Sequence, residues 1–126
     1  MTFQFVATAE VFTTAHIAFT AAVSGALAFV FASLLLGRTR SAVREAAIVG
    51  VLVGVAVFLW RKSANMPQLN SDGLSGFSAN DWLAPTITFV FLSVYARLRP
   101  PRDARRFGRA QAVATLIAFA VNVITI

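Results

Sequence analysis

Proton-handling chemistry needs titratable groups inside the fold, and this chain of 126 residues places very few in its apolar stretches. His16 is the only histidine, and it lies in the stretch from Val11 to Leu36. Thr13 and Thr20 share its face if the segment is helical, because residues three and four apart are neighbours on a helix. Asp81 opens a later apolar stretch, and Asn122 lies near the end of the last one. An imidazole gains and loses a proton near neutral pH, and an ionisable group within a membrane is a functional candidate by default. His16, Asp81 and Asn122 therefore outline a possible polar path, with Asp81 at its outer mouth. Each also has a purely structural reading. His16 suits a hydrogen-bonded residue at a membrane interface, like Glu10 before it. Ser78 followed by Asp81 resembles a capping box, with the aspartate at the positive end of a helix.

Other chemistries lack their parts. Without cysteine there is no thiolate metal site, disulfide framework or redox dithiol. One histidine supplies neither a bis-histidine haem site nor a multi-histidine metal site. No helical stretch holds paired carboxylates, and Gly73-Leu74-Ser75-Gly76-Phe77-Ser78 lacks the flanking strand and helix of a nucleophile elbow. The expectation is a protein that is not an enzyme. A resident cofactor is not readable from the residues.

The densest charge is the run YARLRPPRDARRFGRA, residues 95–110, with six arginines and one aspartate. Nucleic-acid binding would call for aromatic platforms or a structured basic face as well. The only nearby aromatics, Tyr95 and Phe107, read as interface anchors. Arg99, Arg102, Arg105 and Arg106 are better placed for anionic lipid headgroups, each attracted by about 1 kcal/mol near such a surface. An acidic surface on a partner protein is the alternative, and nucleic acid is not expected as a partner.

What must position these residues is a membrane fold. The sequence is 58% hydrophobic and 13% charged, beyond the roughly 45–50% apolar of soluble domains. Four apolar stretches, Val11–Leu36, Ala46–Trp60, Trp82–Ala96 and Ala110–Ile126, predict an all-α, integral membrane four-helix bundle. Its helices are expected at about 11–36, 45–62, 80–97 and 108–126, within a single transmembrane domain spanning 1–126. Strands are disfavoured, since nothing alternates with a period of two and an open sheet cannot survive in hydrocarbon. The two central stretches are short for a bilayer. Arg44 and Arg61 would snorkel outward from the second helix, while Trp82 and Tyr95 suit the interfaces of the third. Pro85 falls in that helix's first turn, where proline is tolerated. Pro100 and Pro101 stop the same helix from continuing.

Charge sets an orientation. Arg38, Arg40 and Arg44 follow the first helix, and Arg97, Arg99, Arg102, Arg105, Arg106 and Arg109 follow the third. The other side carries only Arg61 and Lys62. The positive-inside rule puts the arginine-rich turns in the cytoplasm and both termini outside. Residues 1–10 hold no lysine or arginine for a signal-peptide n-region, so they read as an interfacial lead-in.

Small residues recur where helices would meet. Thr14, Ala18, Ala21, Gly25, Ala28 and Ala32 alternate spacings of four and three along the first helix. Ala46, Gly50 and Gly54 recur every four residues on the second, and Ala110, Ala114, Ala118 and Asn122 do the same on the fourth. Such seams bring backbones close and gain dispersion contacts where lipid removes the hydrophobic drive. They predict a tight bundle that also associates with copies of itself or with a larger membrane complex.

Asp81-Trp82-Leu83 at the opening of the third helix adds one further likeness. With the outer N-terminus, the arginine-bearing first turn and the long outer second loop, it resembles the first four helices of a microbial rhodopsin. In that family an Asp-Trp-Leu on the third helix supplies the counterion to the retinal Schiff base, and Asp81 takes its place here. Ser78 stands where the family has an arginine, Pro85-Thr86 replaces a Thr-Thr-Pro, and Lys62, the chain's only lysine, is not the retinal lysine. The resemblance implies a topology and no retinal.

The functional expectation is a small non-enzymatic multi-pass subunit for assembly or scaffolding, in the cell membrane. The alternative is a small oligomeric channel or transporter for ions or protons. Polar residues facing a cavity between helices would favour transport, and polar residues bonded to backbone carbonyls would favour assembly.

Overall fold

The computed structural model describes residues 12–65 and 79–125, and their regular structure is entirely helical. The four helices are α1 (Thr14–Leu36), α2 (Arg40–Ser63), α3 (Ala79–Leu98) and α4 (Ala104–Thr125). Glu10, Ser78 and its capping box, most of the loop before α3, and the first two or three residues expected to begin the first helix lie outside the described residues or outside α1.

Local chemistry sets the boundaries. Thr13 caps α1 by accepting the His16 N–H at 3.1 Å, and Thr39 caps α2 by accepting the Ala42 N–H at 3.1 Å. Gly37 ends α1 with φ of 114°, a backbone state that side chains disfavour, and its N–H donates to the Ser33 carbonyl at 3.3 Å. The Asp103 carboxylate accepts the Arg106 N–H at 3.1 Å at the start of α4. Thr39 and Asp103 lie upstream of the second and fourth apolar stretches, so those two helices start earlier than expected, whereas the Thr13 cap starts the first helix later. Arg40 and Arg44 belong to the first turns of α2, and Arg105, Arg106 and Arg109 to those of α4. Hydropathy marks where a helix meets lipid, whereas hydrogen bonds mark where it begins.

A similar correction applies to Pro85. Because α3 begins at Ala79, Pro85 sits inside the helix. It has no N–H to return to the carbonyl of Asp81.

α1 packs against α2 and α4, α3 against α2 and α4, and α2 makes a slighter contact with α4. His16 near the start of α1 reaches Thr125 at the end of α4, and Arg106 near the start of α4 reaches the Leu36 carbonyl at the end of α1. These two helices are antiparallel.

The closest approach is between α1 and α2. A Cβ on Gly25 would lie 2.8 Å from the Gly50 carbonyl oxygen, and one on Gly50 would lie 2.9 Å from the Gly25 carbonyl oxygen. Only hydrogen fits at either site. Ala21, Ala28 and Ala32 on α1, Ala46 on α2, and Ala114 and Ala118 on α4 are buried, as their seams require. Gly54 is half-buried beneath Ala21. Ala18 and Thr14 depart from the expected seam and face outward, while Ile17 and Thr20 turn in.

Ile17, Leu92 and Phe107 are buried with the small residues, but many other large apolar side chains take the opposite position. Phe19, Leu34, Val51, Leu116 and Ile124 are all more than half exposed, which in water would be an unusual burden of apolar surface. α1, α2 and α4 are long and apolar enough to cross a membrane. α3 has 20 residues and includes Asp81, Pro85 and Arg97.

Candidate functional site

Polar groups collect at the two ends of the helix set. At the first, α2 finishes with Arg61 and α3 begins with Asp81 on its buried face. Their side chains are 1% and 9% exposed, with Nη1 3.4 Å from Oδ1. That separation exceeds a short charge-assisted hydrogen bond, so the attraction is largely coulombic. The Arg61 guanidinium also lies 5.6 Å from the centroid of the Phe12 ring, within cation–π range. Arg61 therefore does not snorkel outward. A carboxylate facing it from the next helix neutralises it more fully than a distant water surface would.

Around this pair the chain is laced together. Asn65 accepts the Phe12 N–H at 2.9 Å and donates to the Phe12 carbonyl at 2.7 Å, and Lys62 donates to Thr14 at 2.6 Å. His16 Nε2 hydrogen-bonds the Thr125 carbonyl oxygen, and the Thr20 and Thr125 hydroxyls are 2.8 Å apart. Asn122, fully buried, donates to the Ala118 carbonyl at 2.6 Å on its own helix. Trp82 packs against Phe119 with ring centroids 5.0 Å apart and the rings inclined at 42°.

The three residues expected to form a polar path are thus held separately. His16 is tied to the end of α4, Asn122 to its own helix and Asp81 to Arg61. The hydroxyls follow the same pattern. Thr86, Thr88, Thr115 and Thr125 each donate to the carbonyl four residues earlier. Among the described residues, Ser24 Oγ, Ser33 Oγ and Asn122 Oδ1 are buried without a hydrogen-bond partner.

The second end is open and basic. A cavity of about 380 Å³ lies where the α1–α2 turn meets the α3–α4 turn, and Arg44, Arg99, Arg102 and Arg106 line it. Of the arginines expected at headgroups, Arg99, Arg102 and Arg106 converge here, whereas Arg105 is exposed and lies off the lining. Ser41, Glu45 and Tyr95 also line the cavity, and the sequence reading missed all three as site residues. Their one sequence signal is position, because each lies within a turn or so of a helix end bordering an arginine-rich connection. Arg102 donates to the Ser41 hydroxyl at 3.2 Å, and Arg106 pairs with Asp103 at 3.5 Å.

Between the ends, Gln111 joins α4 to α3 by donating to the Phe89 carbonyl at 3.0 Å and the Ser93 hydroxyl at 2.7 Å. No signal in the sequence distinguished Gln111 from a surface glutamine.

No protein-family model, curated protein or solved structure matches this chain. The likeness to microbial rhodopsins therefore rests on Asp81-Trp82-Leu83 and the expected topology and loop pattern alone. In this fold Asp81 already has Arg61 as its counterion.

Proposed function

We propose that this chain is a non-enzymatic, multi-pass subunit of the cell membrane that serves in assembly. Its four helices, α3 included, form one transmembrane bundle with both termini outside and the arginine end at cytosolic anionic headgroups. The side-chain distribution supports the membrane placement. Alanine, glycine, threonine and an ion pair share the interior with Val49, Val53, Val57 and Leu92, while other large apolar side chains such as Phe19, Leu34 and Leu116 face out. Lipid solvates such a surface and water does not.

One observation carries the assembly role. The interior seam is already filled by this chain's own helices, yet a second row of small residues remains outside. Ala18, Ala22 and Ala26 on α1 and Ala47 on α2 are exposed along a shallow groove at the α1–α2 junction, with Gly54 at its floor. Phe29, Val51, Val55, Phe58 and Leu59 also line it, so a helix seated over the alanines comes to close range and gains dispersion contacts that lipid chains supply less well. Copies of this chain, or a helix of a larger complex, would seat there.

Native mass spectrometry of the detergent-solubilised protein and of its Ala22→Leu/Ala26→Leu variant tests this. The expected result is an oligomer or hetero-complex for the natural sequence and dissociation for the variant, with helical content unchanged. A natural protein that is monomeric in both detergent and nanodiscs overturns the reading.

A small oligomeric ion or proton channel is the second reading, favoured by the unpartnered buried Ser24 Oγ and Asn122 Oδ1. Flux into proteoliposomes that His16→Ala abolishes, with helical content unchanged, would support it, and absence of flux for the natural sequence would remove it.

A further inference from the structure

We propose that the cavity at the arginine end binds a phosphomonoester, a phosphate group carrying close to two negative charges, presented by a lipid headgroup. This deepens the proposed function, since it rests on that end lying at headgroup level.

Three features of the cavity specify the ligand. Its volume, about 380 Å³, is that of a small-molecule site. Its charge is unbalanced, because four guanidinium groups face the carboxylates of Glu45 and Asp103 and leave an excess of two positive charges. Asp103 is already committed, accepting the Arg106 backbone N–H and pairing with the Arg106 side chain. Arg44 and Arg99 have no ion-pair partner among the described residues. Its donors are also mixed in kind. Guanidinium forks match phosphate oxygens bidentately, and the Ser41 and Tyr95 hydroxyls supply single donors at other angles. The first turns of α2 and α4 and the last turns of α1 and α3 all border the space, so the helix dipoles offset one another and the guanidinium groups set the potential.

These features discriminate among anions. A phosphodiester carries one charge and leaves the cavity still positive. A phosphomonoester, with a second pKa of about 6, is close to dianionic at neutral pH and balances it. A carboxylate offers two oxygens where phosphate offers three. Nothing in the arrangement prefers a lipid phosphomonoester to a soluble one except placement, so the test separates the two sources.

The protein is reconstituted in phosphatidylcholine nanodiscs containing phosphatidic acid, or phosphatidylglycerol adjusted to equal surface charge, and retained lipid is measured by native mass spectrometry. In a parallel arm, glycerol 3-phosphate is added to the protein in neutral detergent. Phosphatidic acid is expected to be retained in preference to phosphatidylglycerol. Arg99→Gln and Arg102→Gln should each weaken retention about tenfold, the effect of losing one charge-assisted bond. Arg105→Gln removes the same charge outside the cavity and should leave retention unchanged. Circular dichroism checks each variant's fold, with Arg44→Gln as the substitute where one fails to fold. Binding of glycerol 3-phosphate as strong as that of phosphatidic acid overturns the lipid source. Equal retention of the two lipids, or equal losses from Arg105→Gln and Arg102→Gln, shows only a diffuse surface charge and overturns the site. No binding in either arm, with the oligomer intact, overturns the site and leaves the assembly reading standing.

Discussion

Two ends of one small fold treat arginine in opposite ways. At one, Arg61 is almost wholly enclosed and faces Asp81 across a helix junction. At the other, Arg99, Arg102 and Arg106 stand exposed around an open cavity. Residue type and hydrophobic context do not separate them, since all lie at the margins of apolar helices. What separates them is whether a carboxylate on another helix meets the guanidinium inside the packing. An ion pair buried this way is costly to break and cheap to replace with apolar groups, whereas exposed pairs contribute little.

That contrast can be broken most forcefully by Asp81→Asn. Leaving Arg61 buried beside a neutral amide should destabilise the protein by about 3–5 kcal/mol, read as thermal unfolding in detergent followed by helical circular dichroism. The double variant Arg61→Met/Asp81→Leu should recover most of that loss. Failure of the double variant to recover would mean that the other contacts of Arg61, the Phe12 ring among them, matter more than the pair.

The carboxylate at the open end supplies the matched measurement. Asp103→Ala removes an exposed ion pair and a helix cap together, and should cost about 1 kcal/mol, nearly all of it the cap. A loss as large as that of Asp81→Asn would erase the distinction between the ends.

The smallest effect is expected one turn further along α4. Gly108 is exposed within the helix, and a Cβ there would meet no atom within 4 Å. Gly108→Ala should therefore stabilise by about 0.5–1 kcal/mol through backbone entropy alone. A destabilisation instead would show that a bound partner or lipid approaches that face.

Much of this was legible beforehand because it depends on spacing within one helix. The rows through Gly25 and Gly50, Ala28 and Ala32, and Ala114 and Ala118 announced which faces would be buried. The grouping of Arg99, Arg102 and Arg106 was equally open to reading, since a short connection and the helix turn after it must lie near each other. Ala18 was harder to place. It continues the same row, yet Ile17 and Thr20 take the inner positions and Ala18 faces outward. Gln111 and Arg61 were harder still. Both carry polar groups whose partners, Phe89 and Ser93 in one case and Asp81 in the other, belong to a different helix.

Sequence by itself determined the helical class, the small-residue faces and the lopsided distribution of arginine, because period, residue volume and charge count are properties of one segment at a time. Only the tertiary structure decided that Arg61 turns inward, that His16 meets the end of α4, and that Arg44 of α2 shares one space with Arg99, Arg102 and Arg106. Those outcomes depend on which helix lies opposite, and a guanidinium takes whichever neighbour lowers its free energy most once that choice is made.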